Sequence, residues 1–102
     1  MVNKNTMQGK IESEKDLERK LVQAINKLDG ACIKLSAMHT SGIPDRLCLL
    51  PGGIIFFAEI KTTGQKLRRI QELMHTGLKK LGFRVVVIDS AHKIITTLEY
   101  YG

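Results

Sequence analysis

Residues 45–61, DRLCLLPGGIIFFAEIK, constrain what this chain can fold into more than any other stretch. Pro51-Gly52-Gly53 is a turn signal, because proline presets φ and glycine accepts positive φ. The runs on either side, Asp45–Leu50 and Ile54–Lys61, are rich in strand-forming residues and predict an antiparallel hairpin. The second run is apolar from Ile54 to Ala58 and then presents Glu59 and Lys61 around Ile60. A strand repeats every two residues, so Glu59 and Lys61 project to one face. A carboxylate and an ammonium at the end of a hydrophobic strand lose solvation unless they have a partner or a task. Pairing around the turn sets Asp45 opposite Glu59 or Ile60, which brings a second carboxylate to the same place.

The remaining elements follow from periodicity. Ser13 and Asp16 give a capping-box-like start to a helix whose apolar stripe is Leu17, Leu21, Ala24, Ile25 and Leu28, and Asp29-Gly30 ends it. Ala31, Ile33 and Leu35 alternate with polar neighbours as a short strand, and Met38–Pro44 is a loop. After the hairpin, Thr62–Lys66 is a polar loop. A second helix then places Ile70, Leu73, Met74, Gly77, Leu78 and Leu81 on one face, and Gly82 closes it. FRVVVID, residues 83–89, is the β-branched run of a buried strand, and Ser90 caps a last helix reaching Tyr100. The order is αβββαβα: a mixed sheet with helices on its faces.

Residues 1–12 have no period and read as a flexible leader, leaving 13–102 as a single domain. A chain of 102 residues allows only one. With 43% hydrophobic and 25% charged residues it is not a disordered chain. No apolar run approaches the ~18 residues of a membrane span, and the start has no secretory h-region. Cys32 and Cys48 supply no disulfide framework and no paired metal spacing, so they read as small apolar residues in a reducing cytoplasm. The net charge of +6 favours a polyanionic partner.

Two converging carboxylates are unfavourable without a cation between them, and hard oxygen ligands suit Mg²⁺ or Mn²⁺. Such a cation beside a lysine suits phosphodiester hydrolysis. The competing interpretation is a solvated Glu59–Lys61 pair beside a hairpin aspartate. The first helix bears on the choice. Glu14 lies about 35° from the centre of its apolar stripe and Glu18 roughly 75° away, so either carboxylate can join the site from that helix. Each can equally serve only the helix dipole.

Gly42-Ile43-Pro44-Asp45, Phe57-Ala58-Glu59-Ile60-Lys61, Gly64-Gln65-Lys66-Leu67 and Gln71 together resemble the VRR-NUC (virus-type replication-repair nuclease) family of the PD-(D/E)xK superfamily. The resemblance runs from about Glu14 to Asp89. It implies a restriction-endonuclease-like αβββαβ core with a mixed central sheet, and a metal-dependent nuclease. In it, Asp45 and Glu59 ligate Mg²⁺ or Mn²⁺ with the Ile60 carbonyl as third contact. Lys61 is the catalytic lysine, and Gln71 supports the site. Glu14, or else Glu18, completes the set. A stand-alone chain of phage or viral type further implies a Holliday-junction resolvase-like homodimer on branched DNA, in the cytoplasm of a bacterial or phage-infected cell. The alternatives are a monomeric flap, nick or single-strand nuclease, a non-catalytic DNA-binding accessory, and a restriction-type enzyme.

Lys66, Arg68 and Arg69 cluster before the second helix and can hold phosphates, and His39 can touch DNA from its loop. A solvated surface is the plain alternative for all four. His75 and His92 show no ligand spacing. Three Phe, two Tyr and no Trp argue against recognition by stacked single-stranded bases.

Overall fold

Ser13 starts the first helix, α1 (Glu14–Lys27), its hydroxyl accepting from the Asp16 backbone N–H at 3.1 Å. The computed structural model describes residues 12–101, and the elements after α1 are β1 (Ala31–Lys34), β2 (Arg46–Leu50), β3 (Ile54–Ile60), α2 (Arg69–Lys80), β4 (Arg84–Ile88) and α3 (Ala91–Glu99). This is the expected order, with strands a residue or two shorter at their ends. The expected leader lies outside the described residues except for Glu12, whose carboxylate pairs with Lys20. At the C-terminus of α1, Asp29 takes the left-handed conformation (φ 62°). Gly30 is needed for space, because a Cβ there would stand 2.4 Å from the Leu49 carbonyl oxygen.

The sheet order is β1-β2-β3-β4, antiparallel at the first two junctions and parallel between β3 and β4, which α2 connects. Arg46 opposes Ala58 and Leu47 opposes Phe57, so the register carries Asp45 opposite Glu59. One face holds Cys48, Leu50, Phe56, Ala58, Ile60, Val86 and Ile88, buried beneath Leu17, Leu21 and Ile25 of α1 and Ile94 of α3. The other carries Leu47, Leu49, Ile55, Phe57, Glu59, Val85 and Val87, with α2 against β4. Leu28, expected in the α1 stripe, is exposed beyond the sealed region.

The second helix departs from expectation. Its buried residues are Gln71 and His75, whereas Leu73 and Leu81 are 52% and 74% exposed and Ile70 is exposed too. Only part of the expected apolar stripe lies on the inward face of α2: Met74 and Leu78 are half-buried beside Gln71 and His75, and the rest faces water. Two polar side chains share that face because they meet Glu59 on the sheet.

The cysteines stand opposite each other on β1 and β2. The Leu35 N–H donates to the Asp45 carbonyl at 2.9 Å, which makes that opposed pair hydrogen-bonded. Counting back in alternation, Cys32 and Cys48 form a non-hydrogen-bonded pair, the kind whose side chains approach closest. Both thiols are free.

Candidate active site

Asp45 and Glu59 meet where the hairpin opens. The Ile60 N–H, at the end of β3, donates to Asp45 Oδ2 at 2.8 Å, so the side chain takes the place of a ladder partner and is pinned there. The loop leading into Asp45 is seated on α2. Gly42 has φ 79°, and a Cβ on it would lie 2.5 Å from the Ile70 carbonyl oxygen.

Glu59 is 2% exposed. Its Oε2 accepts from Gln71 Nε2 at 3.1 Å, and Gln71 Oε1 accepts from the Arg68 backbone N–H at 2.8 Å. The second bond fixes the amide: its oxygen faces a main-chain donor, so its NH₂ must face Glu59. Glu59 Oε1 is buried without a hydrogen-bond partner and points at His75 Nε2, 3.5 Å away and equally unpartnered. Burial, and next the repulsion of Asp45, push the Glu59 carboxyl up to about 7, with Glu14 adding to the repulsion and Lys61 opposing it. His75 is held below the usual imidazole range, first by burial and then by Lys79.

The residues named from sequence thus divide. Asp45, Glu59 and Gln71 converge, and the charge of Lys61 is felt by both Glu59 and His75. Glu14 is exposed on the first turn of α1, yet its charge reaches Glu59. Glu18 is engaged elsewhere: its Oε2 accepts from Arg46 Nε at 2.8 Å, and Arg46 also donates to the Cys32 carbonyl. That half-buried ion pair ties β2, one residue after Asp45, to α1. Lys66, Arg68 and Arg69 are exposed at the start of α2, and Arg69 also lies 3.7 Å from Glu72. His39 is exposed in its loop.

His75 corrects the expectation of an isolated histidine. Its only signal in the sequence was its position, one helical turn after Gln71 and so on the same face. Arg46 was the other omission, visible only as the neighbour of Asp45.

Among the described residues, no three histidine, cysteine, aspartate or glutamate side chains form a ready-made cation cage. The donor set is narrower: two carboxylates, with the Ile60 main chain beside them. It suits a hard divalent cation on two grounds. Glu59 Oε1 is an orphaned buried acceptor, and the mutual repulsion of Glu59 and Asp45 is of the kind a cation reverses.

No family model matches the chain. The protein named "Putative nuclease p44" of Acyrthosiphon pisum secondary endosymbiont phage 1 is 39% identical over 77 residues, spanning 76% of this chain and 83% of that protein. A solved structure described as a VRR_NUC domain matches with a TM-score of 0.81 at 31% identity, covering 87% of this chain and 97% of that one. Fold and relatives agree, and the chain belongs to the VRR-NUC nuclease family.

Proposed function

We propose that this chain is a Mg²⁺- or Mn²⁺-dependent endonuclease that hydrolyses phosphodiesters in branched DNA, in the manner of a Holliday-junction resolvase. The observation that carries the proposal is the buried Glu59 carboxylate, forced beside Asp45 with one oxygen unpartnered and Lys61 at hand.

In this account Asp45, Glu59 and the Ile60 carbonyl hold the cation, and Glu14 supports it from α1. When bound, the cation supplies a Lewis acid for the scissile phosphoryl group and lowers the pKa of a bound water. Lys61 offsets negative charge developing on the phosphoryl oxygens and assists removal of the water proton. Gln71 keeps Glu59 from turning away, its amide held in turn by the Arg68 N–H. Lys66, Arg68 and Arg69 contact flanking DNA phosphates, as does His39 from its loop.

The proposed working form is a homodimer, because symmetric cutting of a four-way junction needs two active sites. Its support is the sheet face shared with Glu59, where Ile33 and Ile55 are 44% and 43% exposed and Phe83 is exposed as well. The proposed compartment is the cytoplasm of a bacterial or phage-infected cell. No helix among the described residues is long and apolar enough to cross a membrane.

The test is cleavage of a synthetic four-way junction beside flap, nicked, single-stranded and linear duplex controls, in Mg²⁺, Mn²⁺ and EDTA. Paired symmetric nicks in the junction, abolished by EDTA, are expected. Cutting confined to flaps would keep the site and replace the substrate. DNA binding without cutting in either metal would make the chain a binding accessory.

A further inference from the structure

We propose that His75 is a positioning residue for Glu59, acting as the second arm of a clamp whose first arm is Gln71. The inference rests on the metal-site proposal above and assigns a role to a side chain which that proposal leaves unused.

The geometry begins on α2. Gln71 and His75 are four residues apart, so both project from the same face of the helix, and they are its two buried residues. Gln71 Nε2 holds Glu59 Oε2 at 3.1 Å. His75 Nε2 stands 3.5 Å from Glu59 Oε1, the other oxygen of the same carboxylate. That separation is slightly long for a hydrogen bond, and neither atom has another partner among the described residues. His75 is 4% exposed, so water does not replace the missing partner cheaply. An imidazole serving only to fill space would be outperformed by leucine, which leaves no buried polar atom unpaired.

The need for two arms comes from Asp45. Its charge repels Glu59, and a glutamate held at one oxygen can turn about its terminal torsion away from that repulsion. Held at both oxygens from the α2 side, it cannot. Each carboxylate oxygen still keeps a second acceptor site for a cation, because one donor occupies only one lone pair. The neutral imidazole carries one N–H, and the tautomer with that proton on Nε2 lets His75 donate to Oε1. Preorganisation of this kind shows itself as cation affinity, and groups that orient a ligating carboxylate typically alter affinity by about 10–100-fold.

The experiment is a calorimetric titration of Mn²⁺ into wild-type protein and the variants His75→Leu, His75→Gln and His75→Asn, with junction cleavage measured alongside. Gln places its amide nitrogen near the position of imidazole Nε2, whereas Asn is too short to reach it. The expected result is at least ~10-fold weaker Mn²⁺ binding for His75→Leu and His75→Asn, with His75→Gln within about threefold of wild type. Cleavage should lose kcat with little change in the KM for DNA. Wild-type Mn²⁺ affinity in a folded His75→Leu overturns the clamp. Should His75→Leu fail to fold, equal affinities of the Gln and Asn variants overturn it instead. Failure of the wild type to bind Mn²⁺ overturns the metal site itself, and with it the purpose of the clamp, which separates that outcome from a failed clamp on a working site.

Discussion

Toward α1 and α3 the sheet presents mainly apolar side chains, with Cys48, Phe56, Ala58 and Ile88 fully buried and Arg46 and Arg84 confined to the starts of β2 and β4, while toward α2 it buries Glu59 against Gln71 and His75 and leaves Ile33 and Ile55 exposed. The first face follows the ordinary economics of folding, in which apolar area leaves water and polar groups stay in it. The second reverses both habits within one small domain. A buried carboxylate beside another carboxylate, with an unpaired oxygen, opposes folding. That burden is tolerated where it serves a site. The sealed face therefore supplies the stability that the open face spends.

The largest expected effect separates the faces by activity. Lys61→Ala or Asp45→Ala should lower junction cleavage by about 10³-fold or more, while the thermal midpoint moves by only a few degrees. A Lys61→Ala protein that cuts at the wild-type rate would remove lysine from the chemistry. The converse variant lies on the sealed face. Phe56→Ala should destabilise by about 3–5 kcal/mol in urea melts, whatever metal is present. If it costs under about 1 kcal/mol, the stability is not held where the contrast places it.

Next comes pH. The Glu59 carboxyl is raised from its ordinary 4.5 to about 7. The unfolded chain therefore releases this proton earlier than the folded one. Its contribution to stability is fully present below about 4.5 and is lost as pH rises through about 7, a fall on the order of 1–3 kcal/mol. Urea midpoints across that window should decline in metal-free wild type and recover at pH 7.5 when Mn²⁺ is added. Glu59→Gln should flatten both responses. A wild-type profile indistinguishable from the Gln variant would mean that the open face carries no such burden.

The smallest effect resolves the two helix carboxylates. Glu18→Gln breaks the half-buried pair with Arg46 and should cost about 1 kcal/mol, leaving cleavage within a few-fold. Glu14→Gln should leave stability nearly unchanged and slow cutting by about tenfold. The opposite pattern would exchange their roles.

How much could be read from sequence follows the same division. The hairpin register was legible because the turn fixes the pairing, and Arg46 opposite Ala58 carries Asp45 to Glu59 as expected. The stripe of α1 was legible through Ile25, since its 3.6-residue period meets a uniformly apolar surface. The inward face of α2 was legible only at Met74 and Leu78. Ile70, Leu73 and Leu81 follow a helical period too, but the surface that α2 meets includes a carboxylate, and Gln71 and His75 turn toward it. Periodicity reports which side of a helix is apolar, and only the partner decides which side is buried. Glu14 and Glu18 differ by about one turn, so their phases are close. What separates them is the reach of Arg46 from a strand distant in sequence.

Anomalous scattering from a crystal grown with Mn²⁺ locates the cation. A single strong peak is expected between the carboxylates of Asp45 and Glu59, within coordination distance of the Ile60 carbonyl, and it should be lost in Glu59→Gln. A peak elsewhere, or none from protein that cuts DNA in the same Mn²⁺, would contradict the proposed metal site.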